Sequence, residues 1–257
     1  MSKIINILFA ATTALTSAIG LTAAQAAPAG STRNIVLVHG AFVDGSGWKP
    51  VAEILRKRGY NVVIAQPPET SLEDDVAATN RVLDALDGPA VLVGHSYGGV
   101  IITEAGNNPH VKNLVYVAAL QPDAGESAGQ LLSSKPAATN YIVPSKDGFL
   151  TILPEHFRDA FALDLPEAEV AFMAASQVAT SGKAISTPVT TPAWKTKPSF
   201  AIVATQDRAI NPDLERQMYA RSNSVTKEIV SSHAVYISQP QAVAKVIEQA
   251  AAAAANH

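Results

Sequence analysis

The chain contains no cysteine, which excludes a disulfide framework and any thiolate metal site. Its stability must come from a packed core alone. It also lacks a basic cluster: 19 Lys and Arg residues stand against 22 Asp and Glu, a formal charge of −3. Without a basic stripe there is no electrostatic footprint for nucleic acid or for an anionic membrane surface. A small molecule is the expected partner, and no motif calls for a cofactor or a metal. Only 16% of the 257 residues are charged whereas 47% are hydrophobic, enough to bury one large core in a soluble globular domain.

The first 26 residues differ from the rest. "MSKIINILFAATTALTSAIGLTAAQA" carries one charge, Lys3, then an apolar stretch broken by Thr and Ser, then Ala24-Gln25-Ala26. This pattern predicts a secretory signal peptide cleaved after Ala26 and export to the periplasm or the medium, with no membrane association once it is removed. Residues 27–257 are then expected to form a single domain.

From Asn34 onward, short β-branched apolar runs alternate with helix-patterned segments, the signature of a parallel sheet covered by helices. The expected strands are 34–39, 61–65, 90–94, 113–119, 200–205 and 226–231. Most are apolar throughout, as strands buried on both faces are. Helix boundaries are readable as well: Pro50 and Gly59 bracket one helix, Ser71 with Asp74 resembles a capping box, and Asn211-Pro212 and Ser238 to Pro240 open the last two. The alternation breaks between about Gln121 and Lys197, where residues 154–177 have a helical pattern. This stretch is expected to be a small helical cap. Phe149, Leu150, Ile152, Phe157, Phe161, Phe172 and Met173 within it should face a substrate cavity, with Phe42, Phe161 and Phe172 as candidate substrate contacts.

Gly94-His95-Ser96-Tyr97-Gly98 matches G-x-S-x-G at the junction of an apolar strand and a helix. There a sharp turn pushes a serine toward disfavoured backbone angles and exposes its hydroxyl. A serine hydroxyl is a poor nucleophile at neutral pH, so it needs a histidine base and a carboxylate to orient that base. His233 follows the last expected strand and is the candidate base. His39 also ends a strand, His95 reads as a packing residue, and His110 and His156 read as exposed. Asp207 follows the penultimate strand and is the candidate carboxylate. Asp213 competes, but sits in the first turn of a helix, where an acid has an ordinary dipole role. Attack on a carbonyl also creates an oxyanion that needs two N–H donors. Tyr97 supplies one; Ala41, with Phe42 next, is the candidate for the other.

The segments "HGAFVDGSGW", "VGHSYGG", "QDRAINPDLE" and "SHAVYISQP" together resemble the α/β-hydrolase superfamily, and within it the small serine esterases and lyases related to plant methylesterases and hydroxynitrile lyases. The resemblance runs from about Asn34 to Ala250. It implies an α/β-hydrolase fold, an acyl-serine route through Ser96, Asp207 and His233, and a small ester as substrate. Only seven residues separate Ala26 from Asn34, too few for the antiparallel strands of larger members, so a mostly parallel sheet of about six strands is expected. The resembling hydroxynitrile lyases carry a lysine directly after the catalytic histidine, and this chain has Ala234, which favours ester hydrolysis. A lyase using the same triad as a proton shuttle, and a ligand-binding homologue without catalysis, are the alternatives.

Overall fold

The computed structural model describes residues 32–254, so the signal peptide expected over 1–26 lies outside the described residues. In chain order the strands are β1 (Asn34–Val38), β2 (Asn61–Ala65), β3 (Ala90–Ser96), β4 (Val111–Ala119), β5 (Ile142–Pro144), β6 (Phe149–Ile152), β7 (Thr180–Ser181), β8 (Ser199–Ala204) and β9 (Val225–Ile229). The helices are α1 (Lys49–Lys57), α2 (Leu72–Asp84), α3 (Gly98–Ala105), α4 (Ala128–Ser134), α5 (Phe157–Phe161), α6 (Glu167–Ala175), α7 (Gly182–Ser186), α8 (Pro212–Arg221), α9 (Val235–Ser238) and α10 (Pro240–Ala254).

Six strands form one sheet in the order β2-β1-β3-β4-β8-β9, and every pairing in it is parallel. Successive side chains on a strand point to opposite faces, and here both faces are apolar and covered. Ile35, Leu37, Val91, Val93, Val115 and Val117 pack with Trp48, Val51, Leu55, Val243 and Ile247 of the α1 and α10 side. Val36, Val38, Leu92, Leu114 and Tyr116 pack with Val100, Ile101, Leu83 and Met218 on the other side, whose core continues into the region between β4 and β8. Double coverage is why these strands read as unbroken hydrophobic runs.

That region is the cap, and its make-up differs from the expected helical one. A three-stranded antiparallel sheet, β5-β6-β7, forms part of it. The β5-β6 connection turns through Gly148 at φ 84°, a left-handed position suited to glycine. The helical pattern over 154–177 is also broken into a 3₁₀ turn at Pro154–His156, then α5, then α6. Pro166 explains the second break, since it disfavours helix in the residue before it and donates no hydrogen bond.

The coil between α5 and α6 has a positioning use. Its Asp164 carboxylate accepts from the Ser231 hydroxyl (2.8 Å), the Ser232 N–H (3.1 Å) and the Ser232 hydroxyl, tying the cap to the loop after β9. Partial burial alone would raise the Asp164 carboxyl, but the hydrogen bonds from Ser232 and Ser231 outweigh it and hold the group below its ordinary 3.8. A depressed carboxyl contributes stability that is complete above the unfolded-state value and is lost as the pH falls through the folded-state value. Urea midpoints should therefore show Asp164→Asn less stable than the wild type at pH 7, with the gap narrowing as the pH is taken below 4. A constant gap would remove Asp164 from the tether.

Candidate active site

At the end of β3 the backbone of Ser96 adopts φ 54°. For a residue with a Cβ this left-handed conformation costs roughly 1–2 kcal/mol. The surroundings enforce it. Leu120 N–H donates to the Ser96 carbonyl (3.1 Å), and the neighbouring β4 is irregular at the same level, with Ala118 at φ 44° and a register shift between His95 and Ser96. Two glycines allow the close approach that the turn demands. A Cβ on Gly98 would stand 2.5 Å from the His39 carbonyl oxygen, and one on Gly40 would stand 2.6 Å from the Ser96 Cβ. The start of α3 and the loop after β1 are thus pressed against the turn that carries Ser96.

Asp207 lies in the loop after β8. Its Oδ1 accepts the N–H groups of Ala209 (2.7 Å) and Ile210 (2.8 Å), and its Oδ2 accepts from His233 Nδ1 at 2.5 Å. A carboxylate only accepts, so Nδ1 carries a proton, and the ring in its neutral form presents a lone pair at Nε2. That Nε2 has no hydrogen-bond partner among the described residues, and His233 borders the same cavity as Ser96. The remaining histidine candidates are accounted for elsewhere: His39 Nδ1 lies 3.3 Å from Glu69, His110 bonds the Gly88 carbonyl, and His156 stacks on Tyr141 at 4.0 Å. Asp213 pairs with Arg216 at 2.7 Å.

Three neighbours of this pair have no signature in the sequence. His95 has a more specific role than packing: its Nε2–H donates to the His233 carbonyl (3.0 Å), and the two rings lie 4.6 Å apart. Complete burial, reinforced by the nearby His233, pushes the His95 ring well below its ordinary value and keeps it neutral. On the far side, burial first and the Asp207 carboxylate second push Glu215 well above its ordinary value, so it holds its proton. Asp164 anchors the loop two residues before His233. Only proximity in space identifies these three, because they come from β3, α8 and the cap.

An apolar cavity lies over Ser96 and opens to solvent. Ala41, Phe42, Tyr97, Phe161 and His233 border it, as do Leu120, Leu132, Leu150, Ile152, Ile185 and Ile210. Thr139 and Tyr141 add polar atoms, and among the described residues no Asp, Glu, Lys or Arg borders it. The N–H of Phe42 is committed to Thr180 Oγ1 (3.3 Å), whereas among the described residues no turn or loop hydrogen bond consumes those of Ala41 and Tyr97. Phe172 is a correction. It is 63% exposed and absent from the cavity lining, because α6 turns Val170 and Met173 inward and leaves Phe172 on the outer face. Of the other cap residues expected there, Phe157 and Met173 fill the core beneath the cap, and Phe149 is half-buried away from the cavity. Among the described residues, no group of three His, Asp or Glu side chains is arranged to hold a metal ion.

Comparison with known proteins agrees with this architecture. The chain is 28% identical over 262 residues to a pyrethroid hydrolase of Sphingobium wenxiniae, covering 87% of this chain and 89% of that protein. It is 35% identical over 113 residues to a carbendazim hydrolyzing esterase of Nocardioides sp., a match spanning 38% of this chain and 47% of the esterase. The crystal structure of a pyrethroid hydrolase from Sphingobium faniae superposes with a TM-score of 0.74 at 25% identity, covering 87% of this chain and 99% of that one. Such relatives support an ester-cleaving hydrolase. Residues 35–246 match the alpha/beta hydrolase family, and the chain belongs to that family.

Proposed function

We propose that the protein is an exported serine carboxylesterase that hydrolyses uncharged esters with sizeable apolar groups. One observation carries the serine mechanism: a bare His233 Nε2, backed by Asp207, borders the same cavity as a serine held in a left-handed turn. His233 takes the proton of the Ser96 hydroxyl as its oxygen attacks the ester carbonyl, and Asp207 stabilises the imidazolium that forms. The N–H groups of Ala41 and Tyr97 receive the developing oxyanion. His233 then gives its proton to the leaving alcohol; water, deprotonated in turn by His233, attacks the acyl carbon, and His233 returns that proton to the Ser96 oxygen as the acid leaves. The neutral His95 leaves no second positive charge beside the imidazolium.

The lack of charged side chains among the described residues that border the cavity supports the substrate class, since an ionised group taken out of water without a partner is costly. The similarity to a pyrethroid hydrolase and a carbendazim hydrolyzing esterase is consistent with it. Export rests on the charge and small-residue pattern of residues 1–26.

Ser96→Ala and Asp207→Asn should each lower kcat for p-nitrophenyl butyrate by about 10⁴-fold or more with the fold retained by circular dichroism; full turnover in either variant would sink the mechanism. In the wild type, kcat/KM for p-nitrophenyl hydrogen succinate should fall about 100-fold below that for the similarly sized pentanoate. Equal values would contradict a cavity selective for uncharged acyl groups. Amino-terminal sequencing of the protein recovered outside the cytoplasm should begin at Ala27, and an intact Met1 terminus would argue against export by a cleaved signal.

A further inference from the structure

A network of buried polar groups joins the cap to the backbone around Ser96. Thr180, in β7 of the cap, is fully buried, and its Oγ1 accepts the Phe42 N–H at 3.3 Å. The same hydroxyl donates to Glu69 Oε2. Glu69 is fully buried at φ 58°, a conformation that a residue with a Cβ adopts only when its surroundings impose it. Its N–H donates to Asp75 Oδ1 (2.6 Å), its carbonyl accepts the Ser181 N–H (2.8 Å), and its Oε1 lies 3.3 Å from His39 Nδ1. The other Asp75 oxygen accepts the Tyr97 hydroxyl at 2.9 Å. A continuous path thus runs from Phe42 through Thr180, Glu69 and Asp75 to Tyr97. It touches both segments that supply the oxyanion donors.

Burial pushes the carboxyls of both Glu69 and Asp75 above their ordinary values. Apolar side chains of similar volume would fill this space at lower cost. What hydrogen bonds add is direction, and the group they direct here is the backbone of residues 41–42, where Phe42 also lies at φ 68°. With its N–H turned to Thr180, Phe42 fixes the rotation of the chain that leads out of Ala41. Thr180 itself does not border the cavity.

We infer that Thr180 is a positioning residue: its hydroxyl, bridging the Phe42 N–H and the Glu69 carboxyl, clamps the oxyanion loop to the cap and aims the Ala41 N–H at the reacting carbonyl. This role rests on the acyl-serine mechanism above, because only there does an oxyanion need that donor. It makes hydrolysis depend on a cap hydroxyl that never touches substrate.

The test compares Thr180→Val, which keeps the side chain's shape, with Thr180→Ser, which keeps the hydroxyl, using p-nitrophenyl butyrate kinetics and hydrogen exchange at the Phe42 amide by NMR. Thr180→Val should lower kcat about 10- to 100-fold, the scale of a small misplacement of a catalytic group, with KM within about threefold of the wild type. Its Phe42 amide should exchange about tenfold faster, the loss expected for one buried hydrogen bond, and Thr180→Ser should keep both readouts within about threefold. Thr180→Ala serves as the second hydroxyl-free variant should the valine variant fail to fold. Full kcat without the hydroxyl, an equal loss in Thr180→Ser, or a loss of kcat with Phe42 exchange unchanged would each overturn the inference. Ser96→Ala separates the two levels: if it is inactive while Thr180→Val is fully active, only the positioning role falls, and if it keeps full turnover, both fall.

Discussion

The left-handed backbone of Ser96 is the constraint on which the rest of the site depends. A turn that sharp, between a central strand and the helix that follows, lifts the hydroxyl out of the sheet and leaves the Tyr97 N–H at the start of α3. The cost is met by neighbours that fit this turn: the Leu120 hydrogen bond, the irregular β4, and glycines at positions 40 and 98, where any Cβ would collide with backbone or with Ser96 itself. Strain of this kind persists only where the surroundings over-determine it. Here β1, β4 and the loop after β1 all converge on one residue.

His233 presents the opposite problem, since it stands in a loop without regular structure after the edge strand β9. Its position is fixed by bonds from three directions. Asp207 holds its Nδ1, His95 holds its carbonyl, and Asp164 grips the two serines that precede it. Phe161 closes the arrangement from the cap with its ring edge-on to the imidazole at 4.7 Å, and its carbonyl takes the Ala234 N–H. The charge balance is equally constrained. His95 is neutral on one side of the pair and Glu215 is protonated on the other, so neither adds a second charge next to the Asp207 and His233 pair. The cap therefore both roofs the cavity and holds His233 in place.

Much of this is legible in the sequence because the underlying signals are local. β-branched runs mark strands buried on both faces, and the G-x-S-x-G junction marks the turn. The positions of Asp207 and His233 after the last two strands of the sheet mark their place at its carboxyl edge, where a parallel sheet collects functional groups. The cap is less legible. Its helical periodicity over 154–177 conceals a proline break, and the short β5 and β7 acquire their pairing only from β6. Phe172 illustrates the limit, because apolar content alone does not say which face of α6 turns inward. His95, Glu215, Asp164 and the Thr180 to Tyr97 network are illegible for a different reason. His95, Asp164 and Thr180 act through partners between 67 and 138 residues distant, and no spacing rule links such pairs.

The central claim is that Ser96 forms a covalent acyl intermediate, and the most direct measurement is mass analysis of the protein acid-quenched during turnover of an ester whose acyl group leaves slowly. The account predicts a mass increase equal to the acyl group, located on the peptide that contains Ser96, and its disappearance when the ester is exhausted. Continued turnover with Ser96 unmodified throughout, or the acyl group found on another residue, would contradict it.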